Sequence, residues 1–165
     1  MSVRVQRESF DLGRELAALN AGNLAVGGLA SFVGLVRDFD DPAGRSPQGG
    51  TALAAMTLEH YPGMTEKMLE RIEAEANRRW ELEASLIVHR YGRMEPGEPI
   101  VLVACASAHR QAALEACQFL IDWLKTQAPF WKVEETAEGE GRWVEARDSD
   151  EAAAARWLQK PKAAE

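Results

Sequence analysis

Residues 107–132 read SAHRQAALEACQFLIDWLKTQAPFWK, and the reading of this stretch decides the fold. Leu114, Cys117, Ile121 and Leu124 recur at i, i+3, i+7 and i+10, the spacing of one buried helical face. Gln111, Glu115, Gln118, Asp122 and Lys125 fill the opposite face at the same period. Ser107 is placed to cap the segment and Pro129 cannot continue it, so the spacing predicts a helix over about 109–126.

The two ends of that helix carry unusual chemistry. His109 and Arg110 stand where backbone N–H groups are unpaired and the helix dipole is positive, which favours a nearby anion. Lys125 stands at the far end, where a cation complements the dipole. At 1.5 Å per residue His109 and Lys125 are roughly 24 Å apart, too far for one helix to bring both to one small ligand. If both ends serve one pocket, a second copy of the chain supplies one of them.

Upstream, SLIVHRY (85–91) and IVLVACA (100–106) read as consecutive strands separated by the Gly- and Pro-rich turn GRMEPGEP (92–99), the second leading straight into the helix. A second amphipathic helix runs from about Thr65 to Trp80 with Met68, Leu69, Ile72, Ala76 and Trp80 as its apolar stripe and Glu66, Lys67, Glu70, Glu73 and Arg78 as a solvated face. Arg78 and Arg79 suit its C-terminal end. Further upstream, Val3 and Val5 mark an edge strand, Asp11 caps a short helix ending near Gly22, and AVGGLASFVGLVR (25–37) reads as a buried strand with a bend or close backbone approach at Gly27-Gly28. DFDDPAGRSPQGG (38–50) is the clearest loop, mobile and exposed in character, and Leu53–Tyr61 resumes strand alternation. Downstream, two short strands flank a Glu/Gly turn, and a last helix from Asp150 to about Leu158 precedes a charged tail, 159–165. Strands and helices are interspersed without a βαβ rhythm, which predicts one α+β domain over 1–158, a mixed sheet with flanking helices.

Composition narrows the function. The net charge of −7 opposes a general nucleic-acid or acidic-membrane binder. No apolar run spans a bilayer and no signal-peptide pattern opens the chain, so a cytoplasmic location is expected. Cys105 and Cys117 fall in apolar stretches and read as reduced core thiols; His60, His89 and His109 lack ligand spacing, and neither a metal nor a cofactor is expected. The candidate functional cations are Arg37, His109, Arg110, Lys125, Lys132 and Arg147, all at ends of elements. Trp123, Phe130 and Trp131 accompany the two lysines, a combination suited to an anionic, ring-bearing small molecule or to a partner interface.

TLEHYPGMTEKM (57–68), SAHR (107–110), LKTQAPFWK (124–132) and RWVEARDSD (142–150), together with the FVGLVR strand, make the chain resemble the large, catalytic subunit of molybdopterin synthase over nearly its whole length. That resemblance implies an α/β hammerhead fold and a homodimer. It also implies one small ubiquitin-like sulfur carrier, ending in a Gly-Gly thiocarboxylate, at each end of a heterotetramer. The implied reaction puts two sulfurs into cyclic pyranopterin monophosphate. Carried over by position, Lys125 is the essential lysine beside the carrier's C-terminus and Lys132 the second active-site lysine. By the same resemblance Arg37 and, across the dimer, His109 and Arg110 match pterin- and phosphate-binding positions. Leu35, Val36, Val133 and Glu134 line the same pocket, and Arg79 and Arg147 match further basic positions. Leu35 departs from the family, which often has a lysine there, and the loop at 41–50 is longer than usual. The alternative class is a non-catalytic anion- or nucleotide-binding dimer, with a lysine-dependent acyl transferase third.

Overall fold

The structure, a computed structural model, describes residues 2–40, 51–136, 139, 141–144 and 148–158. In chain order its elements are β1 (Ser2–Gln6), α1 (Leu12–Leu19), β2 (Gly28–Leu35), β3 (Phe39–Asp40), β4 (Thr51–His60), α2 (Met64–Arg79), β5 (Ala84–Arg90) and β6 (Gly92–Met94). Then follow β7 (Pro99–Ser107), α3 (Arg110–Gln127), β8 (Phe130–Thr136), β9 (Gly141–Val144), α4 (Asp148–Ala155) and a 3-10 turn, Arg156–Leu158.

The expected α+β class is the observed one, but the strands divide into two sheets. The first has the order β1-β5-β7-β2, with β1 parallel to β5 and the other pairs antiparallel. Its two central strands are buried nearly throughout because both faces of the sheet are covered. Ile87, Val103 and Cys105 face α2 and α3, whereas Leu86, Val88, Leu102 and Ala104 face Phe10 and the Leu16 and Leu19 side chains of α1. The second sheet has the order β3-β4-β8-β9 with β6 also on β4. GRMEPGEP is therefore more than a turn: its first three residues form β6, pairing Met94 with Met56.

Both long helices fall within two residues of their predicted bounds, yet their buried faces hold surprises. The stripe of α3 is Ala113, Ala116, Cys117, Leu120, Ile121 and Leu124, while Leu114 is 61% exposed. Asp122, expected on the solvated face, is buried because three donors satisfy it: Trp157 Nε1 at 2.8 Å, the Arg156 guanidinium at 2.6 Å and Gln118 Nε2 at 3.2 Å. It fastens the C-terminal 3-10 turn to α3. Glu73 of α2 is likewise buried, accepting from Ser85 Oγ (2.7 Å) and the Ser2 N–H (2.9 Å) and so tying α2 to β5 and β1. Ser107 does not cap α3. Its Oγ donates to the Glu81 carbonyl and accepts from the His109 N–H, and His109 occupies the N-cap position without a side-chain bond.

The stretch 25–37 is less buried than its composition suggests. Strand β2 lies at the edge of the first sheet, and Phe32 and Leu35 are exposed. The close approach at its start is real. A Cβ on Gly27 would sit 2.2 Å from the Ala108 carbonyl oxygen, and the Gly27 N–H donates to the Ser107 carbonyl at 3.0 Å. Gly27→Ala must therefore push the entry to α3 away from β2. We expect a loss of about 1–3 kcal/mol in urea unfolding, the usual scale for overpacking.

Candidate active site

The two lysines flank one corner, where α3 gives way to β8. Lys125 occupies the last turn of α3; the Ala128 N–H closes that turn on the Leu124 carbonyl, Pro129 stops the helix, and β8 starts at Phe130. The Lys125 ammonium is half-exposed and 3.6 Å from the Asp150 carboxylate of α4. Lys132 forms an ion pair with Glu134, whose carboxylate is buried at 3% exposure. Strand register sets their direction: Lys132 lies opposite Leu58 and Glu134 opposite Met56, so both share the face of the second sheet on which Met56, Leu58, Met94 and Val36 pack together. Val36 is pinned there by two backbone bonds, its N–H to the Glu98 carbonyl and the Gly97 N–H to its own carbonyl. Arg37 follows directly and is exposed, as is Leu35. Val133 points to the reverse face, opposite Trp143.

His109 and Arg110 lie elsewhere. Both are exposed at the start of α3, where Gly28 of β2 passes within 3.3 Å (as a built Cβ) of the Arg110 Cα. Strand β2 runs from there to Leu35, opposite Pro99 of β7, a span of about 23 Å at 3.3 Å per residue. Helix α3 leaves β7 at Ser107 and returns along β7 and β2, so its Lys125 end lies toward Leu35. One protomer thus holds Leu35, Val36, Arg37, Lys125, Lys132 and Glu134 at one end of its edge strand and His109 with Arg110 at the other.

With that geometry in place, the comparisons are decisive. A model of the MoaE protein family matches residues 5–127. The molybdopterin synthase catalytic subunit of Pseudomonas aeruginosa is 59% identical over 157 residues, covering 95% of this chain and 99% of the relative. The solved molybdopterin biosynthesis MoaE protein of Burkholderia ambifaria superposes with a TM-score of 0.78 at 51% identity, covering 96% of this chain and 99% of that one. A Helicobacter pylori complex of subunits 1 and 2 of molybdopterin-converting factor shares the fold at a TM-score of 0.68 and 19% identity, covering 88% and 91%. The chain belongs to the MoaE family, that of the molybdopterin synthase catalytic subunit.

Other residues of this MoaE-family chain sort by what they touch. Arg79 is occupied in packing: its Nε donates to Glu75 (2.7 Å), another guanidinium nitrogen donates to the Trp157 carbonyl (2.7 Å), and the group lies over the rings of Phe119 and Trp123. Arg147 lies outside the described residues, as does 41–50 of the long loop. Cys105 and Cys117 are buried, and burial raises both thiols, Cys117 to about 11. Neither is a thiolate nucleophile at neutral pH. Among the described residues no group of His, Cys, Asp and Glu is arranged to hold a metal ion.

Two features escaped the sequence reading. An exposed aromatic row, Tyr61, Trp131 and Trp143, runs along the reverse face of the second sheet with successive ring centroids 6.4 Å apart. The other is His89, at 4% exposure, whose position two residues from Ile87 on the same face of β5 is its one sequence signal. Burial pushes its imidazole down to about 4, so it stays neutral in the folded protein while an unfolded chain protonates near 6.5. Below that value the unfolded state binds the extra proton, so the stability present above pH 6.5 is lost as pH falls toward 4. We expect this one group to account for about 3 kcal/mol across that window, read as the difference between wild type and His89→Phe in urea unfolding at stepped pH.

Proposed function

We propose that the chain is the sulfur-inserting subunit of a molybdopterin synthase. It receives sulfur from the thiocarboxylated Gly-Gly tail of a small ubiquitin-like carrier and places two sulfurs on cyclic pyranopterin monophosphate. One observation carries the reading: two lysines from consecutive elements flank one corner, exposed Arg37 follows Val36 on the sheet face that carries Lys132, and two further basic side chains stand at the opposite end of the same edge strand. The buried, raised thiols fit a sulfur that arrives on a partner.

The exposed edge of β2 supports a two-fold dimer. Antiparallel apposition of two copies of β2 about a two-fold axis carries the Gly28 end of one copy to the Leu35 end of the other. His109 and Arg110 of each copy then complete the cationic cradle at Arg37, Lys125 and Lys132 of the other. In that cradle Arg37, Arg110 and His109 hold the cyclic phosphate by charge-assisted hydrogen bonds, with Val36 and Glu134 framing the pocket and Val133, whose side chain points to the reverse face, adding only backbone. Lys125 acts as an ammonium that stabilises the negative charge developing as the thiocarboxylate attacks. Its pairing with Asp150 in the free protein supports that charged role over proton abstraction. Lys132, oriented by Glu134, steadies phosphate and intermediate. The aromatic row centred on Trp131, the residue before Lys132 but on the reverse face of the sheet, suits the carrier's body, since exposed aromatics are enriched at interfaces.

The test mixes the protein with a thiocarboxylated Gly-Gly carrier and the cyclic pterin. Appearance of a dithiolene product with two sulfurs per pterin is expected. Tight pterin binding without sulfur transfer selects the non-catalytic module and ends this reading.

A further inference from the structure

Phe130, the first residue of β8, belongs by its backbone to the second sheet and by its ring to the core of the first. His89 of β5 stacks on that ring with centroids 3.7 Å apart and planes 16° from parallel. His60 of β4 lies 6.4 Å from the same ring and itself leans on Tyr91 at 4.2 Å. The phenyl group is thus held by imidazoles from two different sheets.

His89 is built not to move. It is buried, and its Nδ1–H donates to the Arg90 carbonyl at 2.9 Å, which fixes both the tautomer and the ring plane. Its strand is bonded on both sides, by β1 and β7. What it holds is the short corner that carries both lysines. The Ala128 N–H bonds the Leu124 carbonyl and the Phe130 N–H bonds the Ala128 carbonyl, so little slack separates Lys125 from Phe130. Lys132 follows two residues later on the same face of β8 as Phe130.

We propose that His89 is a positioning residue for sulfur transfer: by stacking on Phe130 it fixes the α3–β8 corner and hence the placement of Lys125 relative to Lys132. The proposal rests on the reading of those lysines as the reacting-site cations. A leucine at 89 fills the volume without a flat face, so Phe130 slides, and a misplacement of about 1 Å at a reacting site costs up to ~100-fold.

The experiment compares His89→Leu with His89→Phe, which keeps a ring, in the carrier-dependent assay. His89→Leu is expected to lower kcat about tenfold or more with the KM for carrier unchanged, and His89→Phe to keep most of the rate. Placed in a Lys132→Ala background, His89→Leu should lose most of its effect, because the group it positions is gone. Unchanged kcat in His89→Leu, an equal loss in His89→Phe, or full additivity with Lys132→Ala overturns the proposal. A second readout is independent of turnover. Spin labels at Lys125→Cys and Lys132→Cys, with the buried Cys105 and Cys117 left unlabelled, report the corner by dipolar broadening. A wider distance distribution in His89→Leu is expected, and an identical one refutes the role. If His89→Leu does not fold, Phe130→Leu removes the other half of the stack and is read in the same way. Absence of sulfur transfer by the wild type defeats the functional reading alone, since the spin labels still decide whether His89 sets the corner.

Discussion

Lys125→Ala is expected to lower sulfur transfer by about 100-fold or more, the scale on which removal of one charge-stabilising group acts, while the protein stays folded. The side chain is half-exposed, and its ion pair to Asp150 is solvent-screened. Such pairs contribute about 0–1 kcal/mol, so thermal unfolding should shift little. The helix keeps its stop at Pro129 and its buried stripe whatever stands at 125. Product formed in a single turnover with saturating thiocarboxylated carrier is the measurement, because it separates chemistry from release. Lys125→Arg keeps the charge but replaces a compact ammonium with a planar fork, and should recover only part of the rate. A near-normal rate for Lys125→Ala would remove Lys125 from the chemistry and with it the reason for placing the reaction at this corner.

Much of this arrangement was legible before any coordinates, and the exceptions have physical causes. The bounds of α2 and α3 followed from periodicity with a Gly turn before one and a Pro stop after the other, because those signals are local. Asp122 and Glu73 were misplaced on solvated faces because their burial depends on distant donors: Trp157 and Arg156 for one, Ser2 and Ser85 for the other. Leu114 was placed inside because three of the four residues in its stripe are buried, but the stripe that packs is shifted to Ala113 and Ala116, small residues that let α3 approach the sheet closely. The division into two sheets was invisible because it rests on the pairing of β4 with the distant β8, and Gly92–Met94 is a strand only by its pairing with β4. At the site, the lysine corner was readable from LKTQAPFWK alone. The union of Val36 with Lys132 and Glu134 came only from the family resemblance and not from local pattern, since it depends on the β4–β8 register. The His89 stack was hidden for the same reason: nothing local ties residue 89 to residue 130.

The separation of the two cation groups makes a prediction about mixtures that no single variant can test. In a two-fold dimer whose sites each combine Lys125 of one protomer with Arg110 of the other, Lys125→Ala and Arg110→Ala chains are each inactive as homodimers. Combined, they complement. A mixed dimer has one site with both substitutions and one site with neither. Random assortment makes about half of the dimers mixed, each with one intact site of two, so about a quarter of the wild-type rate should return. The control is sharper than the rescue. Lys125 and Lys132 come from one corner of one protomer, so Lys125→Ala mixed with Lys132→Ala leaves every site damaged and should restore nothing. The chains are denatured together and refolded, or co-expressed with distinct tags, and assayed as the mixture; the mixed dimer isolated by its two tags should show about half of the wild-type rate. Rescue in the lysine–lysine mixture, or none in the lysine–arginine mixture, would mean that the site is not shared across β2. The cations at the start of α3 would then need another explanation, because about 24 Å of helix separates them from Lys125 within one chain.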